Sequence, residues 1–474
     1  MNQKDESNQT GLQIGFSNVE LPVTAGDPLA GYGVPRICEG VHDPLMASIC
    51  VLKSMDSTCF HAAANSSRQQ ETASSNKKND RLICNSRLCP HDQIYVVLDV
   101  LAIDHLLLDC LKTKLKKNGL ANSDLFVHAV HTHSAPGGLL DTKQGLLKAA
   151  EYFACRTDLE RIEKYACAIL DGILQAQENL ADFSVTAASG ICSNVASNRV
   201  HPAFEMELSA PSDCDRLYAI EITSRKQKGL FVFYACHPTI LSADNLLATG
   251  DLFGLARAKL RNSGYDTVLM LNGSCGDLSC RYTRKASTFE EADRLAGLLA
   301  DAVKKLSFTP AKPAFPKVDR MKVVLRSQVP APIEEVLAAA KQAQEAYENL
   351  KEQPANPAEI QKARVIRDTA AARVHAAEGF DGVRSREITL EMLFWNEEVF
   401  VCYPGELFSS LCAPLMERSV HFISNTNGYL LYMADQSAHE EGVYEAVSSP
   451  FAIGEGEKMM RILANRIERY RNSD

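Results

Sequence analysis

The stretch Ile94–Leu111, IYVVLDVLAIDHLLLDCL, opens with β-branched and aromatic residues and continues into a leucine-rich segment. Three aspartates, Asp99, Asp104 and Asp109, interrupt this apolar run. Charges at these positions are costly in a bilayer and compatible with a globular core, so the stretch does not read as a membrane span. The pattern predicts a buried strand that leads into a helix.

The same alternation of strand and helix continues along the chain. GLFVFYAC, DTVLMLNG and EVFVCYPG are strand-like runs, whereas LERIEKYACAILDGILQAQENL and TFEEADRLAGLLADAVKKL have helical periodicity. We therefore expect an α/β fold of layered mixed β-sheets flanked by helices. Residues 1–12 are predicted to form a flexible tail and residues 13–474 a single domain, with inserted segments at 55–93 and 332–379.

Composition narrows the class of function. The chain has 474 residues, of which 46% are hydrophobic and 23% charged, and its formal net charge is −9. With no basic excess, a nucleic-acid partner is not expected. The N-terminus, MNQKDESNQTG, lacks the apolar core of a signal peptide, and no membrane span is visible, so we expect a cytoplasmic protein. Most of the 15 cysteines are then expected to be reduced and buried.

The first inserted segment, residues 55–93, is polar and rich in Ser and Asn, as in SSRQQETASSNKKND. Its composition predicts a long mobile loop. A zinc site is not expected within this loop, because the loop has no Cys-x-x-Cys pair. The potential ligands that it does contain are Cys59, His61, Cys84, Cys89 and His91.

The second inserted segment, residues 332–379, predicts an antiparallel helical hairpin. Apolar residues recur three and four apart, and the PANP sequence at 354–357 separates two helical runs. The seam residues are Ile333, Val336, Ala340, Ala343, Tyr347 and Leu350. Such a hairpin could cover an active site, join subunits into a homo-oligomer, or decorate the surface.

The strongest chemical signal is HTHSAPGG at residues 131–138. On an extended strand, side chains two residues apart point to one face, so His131 and His133 are predicted to reach one cavity. Two further candidate ligands follow strand-like runs, His237 after GLFVFYAC and Glu406 after EVFVCYPG. Histidine and carboxylate groups at strand ends suit zinc. His237 could instead be a core histidine, and Glu406 a carboxylate at a helix N-terminus.

These motifs together resemble the neutral (non-lysosomal) ceramidases and their bacterial relatives. HTHSAPGG is similar to that family's HTHSGPGG, and FYACHPT followed by Gly250 and Asp251 is similar to its second histidine strand. NGSCGDLS resembles its serine loop, YPGELF its PGEF segment, and NGYLLYMADQSAHEEGVYE its tyrosine block. The motifs occur in the family's order, from GYGVPRICEGVHDP near the start to SSPF near the end.

The resemblance implies one zinc ion per chain and a hydrolase that cleaves an N-acyl amide bond. The implied zinc ligands are His131, His237, Glu406 and Tyr432. The implied catalytic residues are His133, Arg199, Ser279 and Tyr444, of which His133 would relay a proton and Arg199 and Tyr444 would stabilise an oxyanion. Within this family, the chain most resembles the cytoplasmic bacterial members.

Departures from the family bear on the substrate. Cys280 replaces the proline that usually follows the family serine, and the export signal and C-terminal immunoglobulin-like domain of secreted ceramidases are not found. The sequence also offers no apolar rim or basic face for a membrane, which favours a soluble small-molecule acyl amide over ceramide.

Other functions remain open from sequence alone. The same site could cleave an ester or lactone. A metal-independent hydrolase could use Ser274, Cys275 or Ser279 as nucleophile, although the G-x-S-x-G elbow is missing. The chain could also be a non-catalytic zinc-binding interaction protein, but a structural zinc usually has four Cys or His ligands.

Overall fold

A computed structural model describes residues 11–54, 92–200, 215–352 and 356–472. Most elements follow the predicted alternation of strands and helices. The strands are β1 Leu12–Glu20, β2 Gly40–Val41, β3 Met46–Ser54, β4 Gln93–Leu98, β5 Asp124–Ala129, β6 Phe183–Ile191, β7 Ser197–Asn198, β8 Arg216–Ser224, β9 Lys228–Tyr234, β10 Leu247–Ala248, β11 Thr267–Asn272, β12 Leu278–Ser279, β13 Thr309–Ala311, β14 Lys317–Arg326, β15 Ser385–Trp395, β16 Glu398–Cys402, β17 Glu406–Leu407, β18 Val420–Ile423 and β19 Tyr432–Met433. The helices are α1 His105–Lys117, α2 Glu151–Ala154, α3 Leu159–Glu178, α4 Asp251–Arg261, α5 Phe289–Lys304, α6 Ile333–Lys351, α7 Pro357–Gly379, α8 Ser409–Met416, α9 Gln436–Glu441, α10 Tyr444–Val447 and α11 Glu455–Arg471.

The first sheet has the strand order β1-β3-β4-β5, in which only β4 and β5 are parallel. The stretch Ile94–Leu111 supplies most of β4 and the first part of α1, as predicted. Asp104 caps α1, because its side chain accepts a hydrogen bond from the backbone N–H of Leu106. Helices α1 and α3 cover one face of this sheet with their apolar sides.

The second sheet, ordered β11-β9-β8-β6-β13, packs against the other face of the first. Phe231 of β9 lies in edge contact with Phe16 of β1 and Tyr95 of β4, with ring centroids 6.4 and 6.0 Å apart. Helices α4 and α5 cover the far face of this second sheet. The layers thus run helix, sheet, sheet, helix, and the predicted α/β class is confirmed.

A third sheet, ordered β14-β15-β16-β18, extends the core. Phe400 of β16 stacks on Phe233 of the second sheet with ring centroids 5.0 Å apart. Helices α8 and α11 pack on the opposite side of this third sheet. Two-residue strand pairs, β2/β10, β7/β12 and β17/β19, join the loops that follow the long strands.

The segment 332–379 contains the two expected helices, α6 and α7, which pack side by side. The six seam residues named above are the residues of α6 that are not exposed. The Arg367 guanidinium lies 4.3 Å from the Tyr347 ring centroid and ties the two helices together. That the hairpin is inserted relative to other proteins of this fold stays a prediction.

The predicted boundaries shift slightly at two places. Leu12 and Gln93 are the first residues of β1 and β4 and pair with Ser54 and Leu52, so they belong to sheets and not to a tail or a loop. The predicted loop residues 55–91, with their cysteines and histidines, lie outside the described residues. Among the helices that the structure describes, none is both long and apolar enough to cross a bilayer.

Candidate functional site

The candidate site lies where several strands end on the same side of the sheets. His131 and His133 follow β5, and His237 follows β9. Ser279 lies in β12, and its bridge to His237 places the two residues side by side. Glu406 of β17 pairs with Tyr432 of β19 in a short parallel ladder. The topology therefore gathers the residues that the sequence predicted to act together.

The two histidines of HTHSAPGG reach the cavity differently from the prediction. They do not lie on an extended strand, because β5 ends at Ala129 and His131 has a left-handed backbone with φ 74°. This turn brings the imidazoles together, with ring centroids 5.0 Å apart. Gly31, with φ 108°, lies directly against His133, where a Cβ would come within 2.7 Å of its ring and backbone.

Three donor atoms from separate elements converge at the centre of the site. Glu406 Oε2 lies 3.4 Å from His131 Nε2 and 3.2 Å from His237 Nδ1. All three side chains are buried. The other nitrogen of His131, Nδ1, lies 2.8 Å from the carbonyl oxygen of Leu101, which fixes the ring orientation.

Several buried polar atoms in this centre have no hydrogen-bond partner in the part of the chain that the structure describes. They are His133 Nδ1, His237 Nδ1 and Glu406 Oε2. Burial lowers the pKa of His131, and it lowers the pKa values of His133 and His237 well below their usual range. These imidazoles are therefore neutral, which is the form that binds metal ions. Unpartnered buried atoms of this kind mark a place where a ligand fits.

Arg199 joins Tyr432 to the rest of the site. Its Nη2 donates to the carbonyl oxygen of Gly276 at 2.8 Å and to the Tyr432 hydroxyl at 3.3 Å. Its Nε lies 3.0 Å from Glu445 Oε1. Burial raises the pKa of Tyr432 and Glu406 raises it further, whereas the Arg199 charge acts in the opposite direction. Arg199 thus favours the phenolate form of Tyr432.

The remaining predicted residues line the same cavity. His133 Nε2 lies 2.9 Å from His237 Nε2. The Ser279 hydroxyl accepts a hydrogen bond from the backbone N–H of Arg281 at 3.2 Å. Tyr444, the first residue of α10, interacts through its hydroxyl with Tyr152, and burial raises its pKa to about 12. All eight predicted site residues therefore border one cavity.

Two buried aspartates hold the loops that carry these residues. Asp251, which follows the second histidine strand, accepts hydrogen bonds from the backbone N–H groups of Ile240 and Leu241. Asp277 of the serine loop accepts from the backbone N–H and the hydroxyl of Ser409, at 2.6 and 2.7 Å. Burial raises the pKa of Asp251 to about 7 and that of Asp277 to about 6. Both aspartates position loops and do not face the donor atoms.

Sequence reasoning missed Tyr429 as a site residue. Its buried hydroxyl donates to Glu406 Oε1 at 2.7 Å, on the oxygen that does not face the histidines. Cys275, considered above only as a nucleophile, also belongs to the centre, since its Sγ lies within 4.8 Å of donor atoms of His237 and Glu406. Tyr429 is three residues before Tyr432 in the same tyrosine block. Its position in this motif is the sequence feature that could have identified it as a site residue.

The cavity has a volume of about 1120 Å³, and helix α7 forms one of its walls. His375 of α7 stacks on Tyr152, with ring centroids 3.8 Å apart and an interplanar angle of 11°. Since Tyr152 also contacts Tyr444, the hairpin is packed directly onto the site. Of the roles considered for the hairpin, the structure thus supports a position over the active site, and a role in joining subunits stays a prediction.

Comparison with known proteins identifies a matching family model and a similar fold. The sequence model described as neutral/alkaline non-lysosomal ceramidase, N-terminal, matches residues 82–269. The crystal structure of neutral ceramidase from Pseudomonas aeruginosa superposes with a TM-score of 0.65 at 14% identity, over 95% of this chain and 73% of that chain. The chain has the neutral ceramidase fold. The resemblance predicted from its motifs is confirmed.

A second solved structure, a ceramidase complexed with C2, gives the same TM-score of 0.65 at 13% identity, over 95% of this chain and 74% of that chain. No curated protein sequence matches this ceramidase-like chain. The family model spans His131, His133, Arg199 and His237, and it ends before Ser279. The C-terminal half of the site, with Glu406, Tyr432 and Tyr444, lies outside the matched residues, and its assignment stays a prediction.

Proposed function

We propose that this ceramidase-like chain is a zinc-dependent hydrolase that cleaves an N-acyl amide bond of a small molecule. The observation that carries the proposal is the convergence of His131 Nε2, His237 Nδ1 and Glu406 Oε2 in a buried centre, two of these atoms having no hydrogen-bond partner among the described residues. The fold and the family match support the same class of reaction.

Two of the donor separations match those expected around a zinc ion. Zinc binds histidine nitrogen and carboxylate oxygen at about 2.0–2.2 Å, so two donors on a tetrahedral ion lie ~3.4 Å apart. The observed separations from Glu406 Oε2 are 3.4 and 3.2 Å. Two neutral imidazoles, one carboxylate and one phenol form a nitrogen and oxygen set that suits this borderline metal. We assign His131, His237, Glu406 and Tyr432 as the residues that would hold one ion per chain.

When bound, zinc would supply Lewis acidity toward the scissile carbonyl and acidify a water molecule. The protein's own groups would do the rest. Arg199 holds Tyr432 beside Glu406 and favours its phenolate. Tyr429 holds the outer oxygen of Glu406, as carboxylates near metals are commonly oriented by a further hydrogen bond.

Proton transfer and charge stabilisation fall to the residues on the cavity side. His133 has an unpartnered Nδ1 among the described residues and lies at the cavity wall, so it can carry a proton to the leaving amine. The Tyr444 hydroxyl, oriented by Tyr152, can donate to an oxygen on which charge develops. Ser279 lies beside His237 and can hydrogen-bond the substrate.

Rival functions have less support in the geometry. Burial raises the pKa of Cys275 well above its usual range, so its thiol is a poor nucleophile. The Ser279 hydroxyl already accepts a backbone hydrogen bond. An ester or lactone would use the same machinery and remains the nearest alternative. A cytoplasmic location stays a prediction.

Metal analysis and chelation test the proposal. Purified protein should contain about one zinc per chain, and a panel of N-acyl amides, esters and lactones should show hydrolysis that disappears on exhaustive chelation and returns with added zinc. Full activity after complete removal of metal would refute a metal-dependent mechanism and favour a serine or cysteine hydrolase.

The Tyr429→Phe variant should bind zinc more weakly. Loss of its hydrogen bond to Glu406 removes the group that orients this carboxylate, and changes of this kind typically lower metal affinity about 10- to 100-fold. Competition with a chromogenic chelator measures the affinity directly, without an assay of turnover.

Tyr403→Phe is a matched control for that experiment. Tyr403 is fully buried nearby, and among the described residues its hydroxyl has no hydrogen-bond partner. Its substitution removes the same atom without touching Glu406, so zinc affinity should be unchanged. Equal zinc affinities of Tyr429→Phe and wild type would show that Tyr429 does not support the metal centre.

A further inference from the structure

The wall that helix α7 contributes to the cavity carries an excess of positive charge. Lys362, Arg364, Arg367 and Arg373 line the cavity from this helix, together with a single acidic residue, Asp368. Arg364 and Arg367 both pair with that aspartate. Lys362 and Arg373 have no carboxylate within 4 Å among the described residues. A basic wall is unexpected in a chain with a net charge of −9.

Arg373 lies next to the catalytic region. A Cβ built on Gly442 would come within 3.0 Å of Arg373 Nη2, so the guanidinium rests against the backbone two residues before Tyr444. Gly442 has φ 66° at the end of α9, and its missing side chain leaves this space to the arginine. Arg373 is exposed to the cavity and has no ion-pair partner in the described parts of the chain.

Arg281 provides a second cation beside the serine loop. Its backbone N–H donates to the Ser279 hydroxyl, and its exposed side chain lines the same cavity. Its charge is close enough to contribute to the lowered pKa of His237, after burial and the charges of Arg199 and His131. Arg281 likewise has no carboxylate within 4 Å among the residues that the structure describes.

The lining also contains Glu406, Glu441 and Glu445, and none of them forms an ion pair with Arg281 or Arg373 among the described residues. Glu445 is paired with Arg199, and Glu406 faces the histidines. Guanidinium groups that line a cavity and have no carboxylate within 4 Å among the described residues can bind a carboxylate or phosphate through paired N–H donors. Clefts lined by one sign of charge also concentrate ligands of the opposite sign.

We propose that Arg281 and Arg373 are specificity-determining residues that select an N-acyl amide bearing an anionic group on its acyl or amine part. This inference rests on the proposed function and names the substrate class of the same site. A charged group bound by Arg281 or Arg373 lies beside Ser279 or Tyr444, so the scissile amide extends from it toward the donor atoms. A wholly apolar substrate would leave both guanidinium groups without an ion-pair partner among the described residues.

Pairs of substrates that differ by one charge test this selection. N-hexanoyl-glutamic acid α-amide and N-hexanoyl-glutamine α-amide differ only on the amine part, and N-glutaryl and N-glutaramoyl anilides only on the acyl part. In one of the two pairs, the wild-type protein should hydrolyse the anionic member with a higher kcat/KM than the neutral member. Arg281→Gln or Arg373→Gln should reduce that preference about 10- to 100-fold, the usual effect of losing a hydrogen bond between charged groups.

Arg364→Gln is the matched control, because this arginine lies on the same helix and cavity wall but is already paired with Asp368. Its charge preference should match that of wild type. A wild-type kcat/KM for uncharged long-chain ceramide at or above that of every anionic compound would overturn the proposal. So would a charge preference that survives in the Arg281→Gln/Arg373→Gln double variant.

A binding measurement separates this inference from the proposed function. Calorimetric titration of the full wild-type chain with ketone analogues, in which a methylene replaces the amide nitrogen, requires no turnover. The anionic analogue should bind more tightly than its neutral partner, with a difference that shrinks as salt is added. Equal binding would refute selection by charge. Tighter anionic binding together with no hydrolysis of any amide would refute the proposed function and leave the recognition site standing.

Discussion

The His131→Ala and His237→Ala variants should each lose their zinc. Both imidazoles face Glu406 Oε2, at 3.4 and 3.2 Å, and that oxygen has no hydrogen-bond partner among the described residues. Removing a ligand itself should cost more than the 10- to 100-fold in affinity typical of an outer-sphere change, so we expect a loss of at least ~100-fold. Elemental analysis after dialysis should show near-complete loss of metal in both variants.

His128→Ala is the control for this experiment. His128 lies on β5, three residues before His131, and is as deeply buried, but its Nδ1 is 2.6 Å from the Thr426 hydroxyl, away from the donor cluster. This variant should keep its zinc even if its stability falls. Circular dichroism should confirm that all three variants are folded. Stoichiometric zinc in both His131→Ala and His237→Ala would refute the assigned ligand set.

The long elements of the fold could be predicted because their sequence patterns are strong. The run at Ile94–Leu111 was predicted to form a strand that leads into a helix, and it does so in β4 and α1. The prediction of the seam of α6 was also correct residue by residue. A helix that packs on one neighbour exposes all the residues that lie off the packed face. These are local consequences of periodicity, which one sequence is enough to reveal.

The short elements that complete the site could not be predicted in this way. Strands β12, β17 and β19 have only two residues each, too few to show any period. The left-handed backbone of His131 is likewise invisible in the sequence, because non-glycine residues rarely adopt it. The prediction that both histidines reach one cavity was right, but the assumed strand geometry was wrong.

Tyr429 and Arg373 illustrate a second limit. The contact between Tyr429 and Glu406 depends on the pairing of β17 with β19, which joins segments that are separate in the sequence. The position of Arg373 depends on how the hairpin packs against the turn at Gly442. Sequence motifs identified the residues that face the donor atoms. The residue that orients a proposed ligand, Tyr429, and the residue proposed to select the substrate, Arg373, depend on packing between distant segments.

The Tyr444→Phe variant should lose most of its turnover while keeping its zinc. Its hydroxyl is the neutral donor on the cavity side, and burial holds its pKa at about 12, so it stays protonated across the working range of pH. Removing one donor to a developing oxyanion typically lowers kcat about 100- to 1,000-fold. The measurements are kcat on the best substrate of the panel and zinc content of the same sample.

Two further variants distinguish a catalytic donor from a structural contact. Tyr152→Phe removes one partner of the Tyr444 hydroxyl, the other being Ser448, and leaves the donor itself, so its loss of rate should be clearly smaller. Arg199→Gln should be combined with Glu445→Gln, because an unpaired buried carboxylate typically destabilises a protein by about 3–5 kcal/mol. If Arg199 acts by favouring the Tyr432 phenolate, the double variant should bind zinc more weakly, whereas Tyr444→Phe should not. A Tyr444→Phe enzyme with wild-type kcat would exclude the hydroxyl from the chemistry and leave Tyr444 as a packing residue of α10.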